Sequence, residues 1–111
     1  MKLAIVGSRK ISANIGEHMP ENVTEIVSGG AAGIDTLAAE YARNNGIKLT
    51  EFLPDYSRYK RAAPLKRNQL IAEYADLCLA FWDGESRGTL NTINLFKKLN
   101  KSVNVVIIKN E

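Results

Sequence analysis

The sequence predicts an α/β fold, a doubly wound sheet of about five parallel strands with helices on both faces. Three observations lead there. Five short apolar runs are continuous instead of alternating, the mark of strands buried on both sides. The segments between them repeat apolar residues at the helical spacing of three and four. Three of the runs end in turns rich in Gly and Ser, two of them with Arg as well, which suits the abrupt strand-to-helix reversals of a parallel sheet.

The first strand is expected over residues 2–6, ending where Gly7 allows a turn. Ile11, Ile15 and Met19 then space a short helix over residues 12–19, which Pro20 stops. A second strand follows over residues 24–27 and ends at Ser28-Gly29-Gly30. Ile34, Leu37, Ala38, Tyr41 and Ala42 share one face of the next helix, and Asn44-Asn45-Gly46 supplies the left-handed residues that end it. The third strand is placed over residues 47–53. Pro64 fits the first turn of another helix, whose face of Leu70, Ile71, Tyr74 and Ala75 leads to a fourth strand over residues 76–82. A last helix over residues 89–100 turns Leu90, Ile93 and Phe96 inward. Lys97, Lys98 and Lys101 lie near its end, where the helix dipole favours cations. The fifth strand covers residues 102–108.

At 111 residues the chain suits one hydrophobic core, so a single domain over residues 1–111 is expected. With 45% hydrophobic and 24% charged residues it lies near the globular average, which argues against disorder. No run approaches the ~20 apolar residues that span a bilayer, and the apolar start is too short for a signal peptide. A cytoplasmic location without a membrane partner is therefore expected. One cysteine, Cys78, and one histidine, His18, make neither an internal disulfide nor a zinc site, so no metal is expected. The single histidine also excludes triad hydrolysis, and there is no Walker sequence or nucleophile elbow. The net charge of +3 is compatible with an anionic ligand, and it is locally concentrated. Arg58, Lys60, Arg61, Lys66 and Arg67 occur with no acid among them, forming either a solvated basic face or a border that attracts phosphate.

In a doubly wound sheet ligands sit beyond the carboxyl ends of the strands, which directs attention to three turns. They read Gly7-Ser8-Arg9, Ser28-Gly29-Gly30-Ala31-Ala32-Gly33-Ile34-Asp35 and Asp83-Gly84-Glu85-Ser86-Arg87-Gly88-Thr89, all on one rim. Glycines let backbone amides approach a ligand, and a helix starting just after them adds unpaired donors and a positive dipole end. Phosphate suits such a surface. Ser8, Ser28, Ser86 and Thr89 offer hydroxyls to phosphate or ribose, or else cap their own helices. Arg9 and Arg87 carry the planar fork that holds phosphate through two bonds. Asp35 falls in a first helical turn, where bonding free amides competes with contact to a ribose. Arg67 and Asn68 can reach a phosphate or base edge, or make a salt bridge and a helix-start bond instead. Tyr56, Tyr59 and Trp82 have faces on which a base could stack, with core packing the stronger expectation for Trp82. The second turn nearly matches a dinucleotide fingerprint: Gly30 and Gly33 fit, and Asp55 falls near the place of the ribose-binding acid. Ser28, however, stands where the first glycine belongs.

Together these three turns and Ala63-Pro64-Leu65-Lys66-Arg67-Asn68, with Phe81-Trp82 leading into the last turn, resemble the SLOG superfamily of Rossmann-like domains. The resemblance is nearest to the small stand-alone branch found in bacteria and phages, and it covers nearly the whole chain in order. It implies a Rossmann-like sheet and a pocket for a nucleotide or nucleotide-derived ligand, formed by the turns after the first, second and fourth strands. It also implies a possible homodimer. The candidate ligand-binding residues are Gly7, Ser8, Arg9, Ser28, Gly29, Gly30, Gly33, Asp35, Arg67, Asn68, Asp83, Gly84, Ser86, Arg87, Gly88 and Thr89. The first two motifs are similar to those of the DNA-processing protein A family, which binds single-stranded DNA. Gly88-Thr89 is similar to the turn of the lonely-guy phosphoribohydrolases, which cleave the N-glycosidic bond of nucleoside monophosphates. Those hydrolases carry a catalytic Glu three residues after the Gly-Thr pair, where this chain has Thr92 preceded by Asn91.

The sequence favours binding or sensing of a nucleotide-like phosphate ligand, with no further cofactor specified. One alternative is an N-glycosidic hydrolase drawing on Asp35, Asp83 or Glu85, which the loss of the expected glutamate weakens. Another is a single-stranded nucleic-acid binder using the basic segment.

Overall fold

A computed structural model describes residues 1–109. Its strands are β1 (Lys2–Gly7), β2 (Glu25–Ser28), β3 (Lys48–Glu51), β4 (Leu77–Trp82) and β5 (Ser102–Ile107). They form one parallel sheet in the order β3-β2-β1-β4-β5. The helices are α1 (Ile34–Asn44), α2 (Tyr56–Tyr59), α3 (Ala63–Tyr74) and α4 (Arg87–Lys98). This is the expected doubly wound, Rossmann-like arrangement, with strand order reversing between β1 and β4.

The continuous apolar strands have a helical layer on each side. Leu3, Ile5, Ile26, Leu79 and Phe81 pack with Ile34, Ala38 and Ala42 of α1. The alternate residues Ala4, Val6, Val27, Cys78 and Ala80 pack with Ile71 and Ala72 of α3 and Ile93 and Phe96 of α4. Phe81 and Phe96 are both fully buried, each contributing about 1.5–3 kcal/mol by leaving water.

Several elements depart from the expected pattern. Residues 12–19 hold only a 3-10 turn, Ile15–His18, because Gly16 within it and Pro20 after it leave too short a stretch to offset helix nucleation. The helix α2 falls where none was expected. Asp55 starts it by accepting the Ser57 hydroxyl at 2.8 Å and the Arg58 amide at 3.1 Å, and it buries no residue. The last helix begins at Arg87 because Ser86 caps it, its Oγ accepting the Thr89 amide at 3.3 Å. Leu70 and Leu90 are exposed, since α3 turns Asn68, Ile71 and Ala72 inward and α4 turns Thr89, Thr92, Ile93 and Phe96 inward. β3 is shorter than the expected 47–53 and lies half-exposed on the sheet edge.

Two polar clusters fix the amino ends of the strands. Glu25, in β2, accepts the Tyr74 hydroxyl at 2.5 Å and the Thr50 hydroxyl at 2.7 Å, with Lys48 Nζ at 3.5 Å. The Tyr74 bond foremost holds this carboxyl below its ordinary range. Lys101 extends its ammonium to the carbonyls of Ala72, Glu73 and Ala75 at 2.7, 3.0 and 2.8 Å, closing the end of α3.

Candidate functional site

Parallel pairing brings the ends of β1, β2 and β4 to one rim, and a cleft of about 420 Å³ opens among their turns. The first two turns interlock at Gly33. Its backbone stands at φ +73°, and a Cβ there would meet the Arg9 carbonyl oxygen at 2.5 Å, so only glycine lets the chain pass. The first and third turns join through Ser8, whose amide donates to Phe81 O at 3.1 Å and whose Oγ accepts the Asp83 amide at 3.4 Å.

Arg67 reaches across from α3, donating Nη1 to the carbonyl of Gly29 at 2.6 Å and Nε to Asn68 Oδ1 at 2.9 Å. Gly29 is pressed into this contact, for a Cβ would lie 2.5 Å from Arg67 Nη1 and 3.0 Å from Asp35 Oδ2. Burial lowers the affinity of the Arg67 guanidinium for its proton, although it remains a cation in any working range. Asp35 Oδ2 accepts the Ala31 amide at 3.1 Å. Burial raises this carboxyl above its ordinary range, against the opposing pull of the Ala31 bond and of Arg67 and Arg9.

Across the cleft Asp83 Oδ1 accepts the amides of Ser86 at 2.8 Å and Glu85 at 2.9 Å, and these bonds hold the carboxyl below its ordinary range. With Thr89 capped, the amides of Arg87 and Gly88 are, among the described residues, the open donors of the first turn of α4. The cleft wall thus carries the cations Arg9, Lys10 and Arg67, and the carboxylates Asp35, Asp83 and Glu85.

Of the sequence candidates, Gly7, Ser8, Arg9, Gly29, Asp35 and Arg67 line this cleft, as do Asn68, Asp83, Ser86, Gly88 and Thr89. Ser28, Gly30, Gly33, Gly84 and Arg87 stand outside its wall. Ser28 is fully buried, its Oγ accepting the Gly30 amide at 3.3 Å, and Arg87 points to solvent. Asn68 is engaged within the protein, accepting from Arg67 and donating to Asn91 Oδ1 at 3.2 Å and Gly88 O at 3.5 Å. It positions the walls instead of offering a free amide. Trp82 is half-buried, with Nε1 donating to Ser86 O at 3.0 Å. From the basic segment only Arg67 enters the cleft; Arg58 and Lys66 lie over the Tyr59 ring at 5.2 and 5.8 Å.

The wall also includes Lys10, Ala31 and Thr92, which sequence reasoning did not select as ligand-binding. Lys10 was signalled by adjacency to Arg9. Thr92, which stands where the hydrolase motif has its glutamate, is buried with its hydroxyl donating to Gly88 O at 3.3 Å. Among the described residues no group of three or more His, Cys, Asp or Glu side chains could hold a metal ion, and no helix is long and apolar enough to cross a membrane.

The sheet order and the rim cleft define the molecule as a Rossmann-like α/β protein. The chain belongs to the YspA, cpYpsA-related SLOG family (YAcAr), whose family model matches residues 1–59, from β1 through α2. No curated protein and no solved structure matches it.

Proposed function

We propose that the cleft binds a nucleotide or nucleotide-derived ligand, and that the protein acts as a binding or sensing module for it. The observation that carries this reading is the mixed charge of one cleft: the cations Arg9, Lys10 and Arg67, with Asp35 buried beside Arg67 and Arg9, and Asp83 and Glu85 in the turn before α4. A phosphate needs the cations, of which Arg67 has Nη2 without a protein acceptor among the described hydrogen bonds. Ribose hydroxyls or base amino groups are donors, and the ionised Asp83 is the acceptor that suits them. Membership of a SLOG family is consistent with nucleotide-related binding or processing. Binding is preferred to hydrolysis because a threonine hydroxyl tied to Gly88 O stands at position 92, which leaves no glutamate there to serve as acid or base.

The test is thermal unfolding of the protein against ribonucleotides, deoxyribonucleotides, cyclic dinucleotides, NAD, ADP-ribose and short single-stranded DNA. At ~100 times the dissociation constant a selective ligand stabilises by roughly 2.7 kcal/mol. The expected result is a shift with one ribonucleotide class that disappears in Arg9→Ala and in Arg67→Ala while both variants stay folded. A shift confined to DNA, or one that survives both substitutions, rejects the reading. Release of free base from nucleoside monophosphates would replace it with the enzyme alternative.

A further inference from the structure

Asp35 has more charge around it than its hydrogen bonds use. It lies in the first turn of α1, 7% exposed, and forms part of the cleft wall. Among the described hydrogen bonds only the Ala31 amide reaches its carboxyl, at Oδ2, so Oδ1 accepts nothing from the protein. The charged groups that act on it are Arg67 from α3, Arg9 from the turn after β1 and Glu51 from the end of β3. Arg67 Nη1 and Asp35 Oδ2 flank Gly29, at 2.5 and 3.0 Å from the point where a Cβ would stand. Among the described residues, however, neither Asp35 nor the two arginines make an ion pair. An anion drawn to Arg9 and Arg67 therefore arrives beside a carboxyl that is shielded from water. Where two acidic oxygens share so dry a place, one of them holds a proton. The O–H···O⁻ bond between them is then of the strong, charge-assisted kind.

We propose that Asp35 selects the ligand by its terminal group: the cleft takes an anion together with one proton, and so prefers a phosphate bearing an O–H to a sulfate or a phosphodiester, which bear none. Resting on the reading of the cleft as a nucleotide site, this narrows the class to ligands that end in a phosphate monoester. A monoester releases its second proton at about pH 6, so that proton is at hand near neutrality. A diester has none to offer. The proton count is the same whether the phosphate O–H donates to the Asp35 carboxylate or the protonated carboxyl donates to a phosphate oxygen. Sulfate finds its proton only on Asp35, so its binding weakens as pH rises and the carboxyl ionises.

Calorimetric titration of the full chain with inorganic phosphate, sulfate and dimethyl phosphate at pH 8 tests this. Phosphate and sulfate are both dianions there, but only phosphate keeps an O–H. Wild type should bind phosphate at least about tenfold more tightly than sulfate, the equivalent of one pKa unit, and dimethyl phosphate should fall behind phosphate as well. In Asp35→Asn an amide that donates to any of these anions replaces the carboxyl, and the preference should disappear through a gain for sulfate. Glu51→Gln removes an exposed charge nearby and should change phosphate and sulfate affinity by the same factor. Sulfate binding to wild type should weaken as pH rises through the folded value of Asp35, which lies above 3.8, and should not do so in Asp35→Asn. Equal affinities in wild type, or a preference that survives Asp35→Asn, overturn the proposal. If the anions nevertheless bind wild type and weaken in Arg9→Ala and Arg67→Ala, the phosphate reading of the cleft stands without it. If none of them binds wild type, both fall.

Discussion

At Gly33 a single hydrogen in place of a side chain lets the first two turns touch. The backbone there has φ +73° and ψ −122°, and the obstacle to a Cβ is the backbone of Arg9, which cannot rotate aside. Strain of this kind costs about 1–3 kcal/mol before any clash, so Gly33→Ala should lose roughly 3 kcal/mol in urea unfolding. Gly46→Ala provides the control, with φ +64° but open space around it, and should lose only about 1 kcal/mol. Equal losses would show that the contact with Arg9 carries no weight. Asp35 illustrates a different constraint. Burial raises its carboxyl above the ordinary 3.8, so the folded chain holds this proton more tightly than the unfolded chain. Its contribution to stability is therefore fully present below that ordinary value and is lost as pH rises through the higher folded value. Asp35→Asn keeps an acceptor for the Ala31 amide and removes the charge. Its stability relative to wild type should rise as pH increases from below 3.8 through the higher folded value, and a difference constant with pH would contradict the burial argument.

Among the elements, α3 has an end that its own sequence does not provide. The chain turns extended at Ala75 without a glycine, and the last carbonyls are met by Lys101 from the approach to β5. Hydrogen bonds to a charged donor are worth about 1.5–3 kcal/mol, so Lys101→Met should cost roughly 2 kcal/mol. It should also speed amide exchange in the last turn of α3 while leaving α1 unchanged; uniform acceleration would mean that the loss is global. This long-range cap was not legible, because Lys101 reads from sequence as a residue of the α4 terminus. α1 was legible, since its apolar spacing and the Asn45-Gly46 stop reinforce each other. α2 was not, because a turn that buries nothing leaves no apolar period to read.

For the molecule as a whole, the arrangement of the cleft was readable where the allocation of its hydrogen bonds was not. Parallel topology alone brings Gly7-Ser8-Arg9, the Ser28–Asp35 turn and the Asp83–Thr89 turn to one rim. Whether a side chain on that rim faces the cleft or its own backbone depends on close three-dimensional fit. Ser28 and Asn68 therefore turned inward, and Lys10 joined the wall without being singled out. The central place of β1 has a consequence for synthesis. Its flank meets β4 through five residue pairs, from Leu3 opposite Leu77 to Gly7 opposite Phe81, yet β4 is translated some seventy residues later. At ~5–20 residues per second this leaves the apolar edge of the nascent β1 open for roughly 4–15 s. The half of the sheet nearest the amino terminus thus emerges from the ribosome with one strand edge unpaired, and that edge is closed only when Leu77–Trp82 arrives.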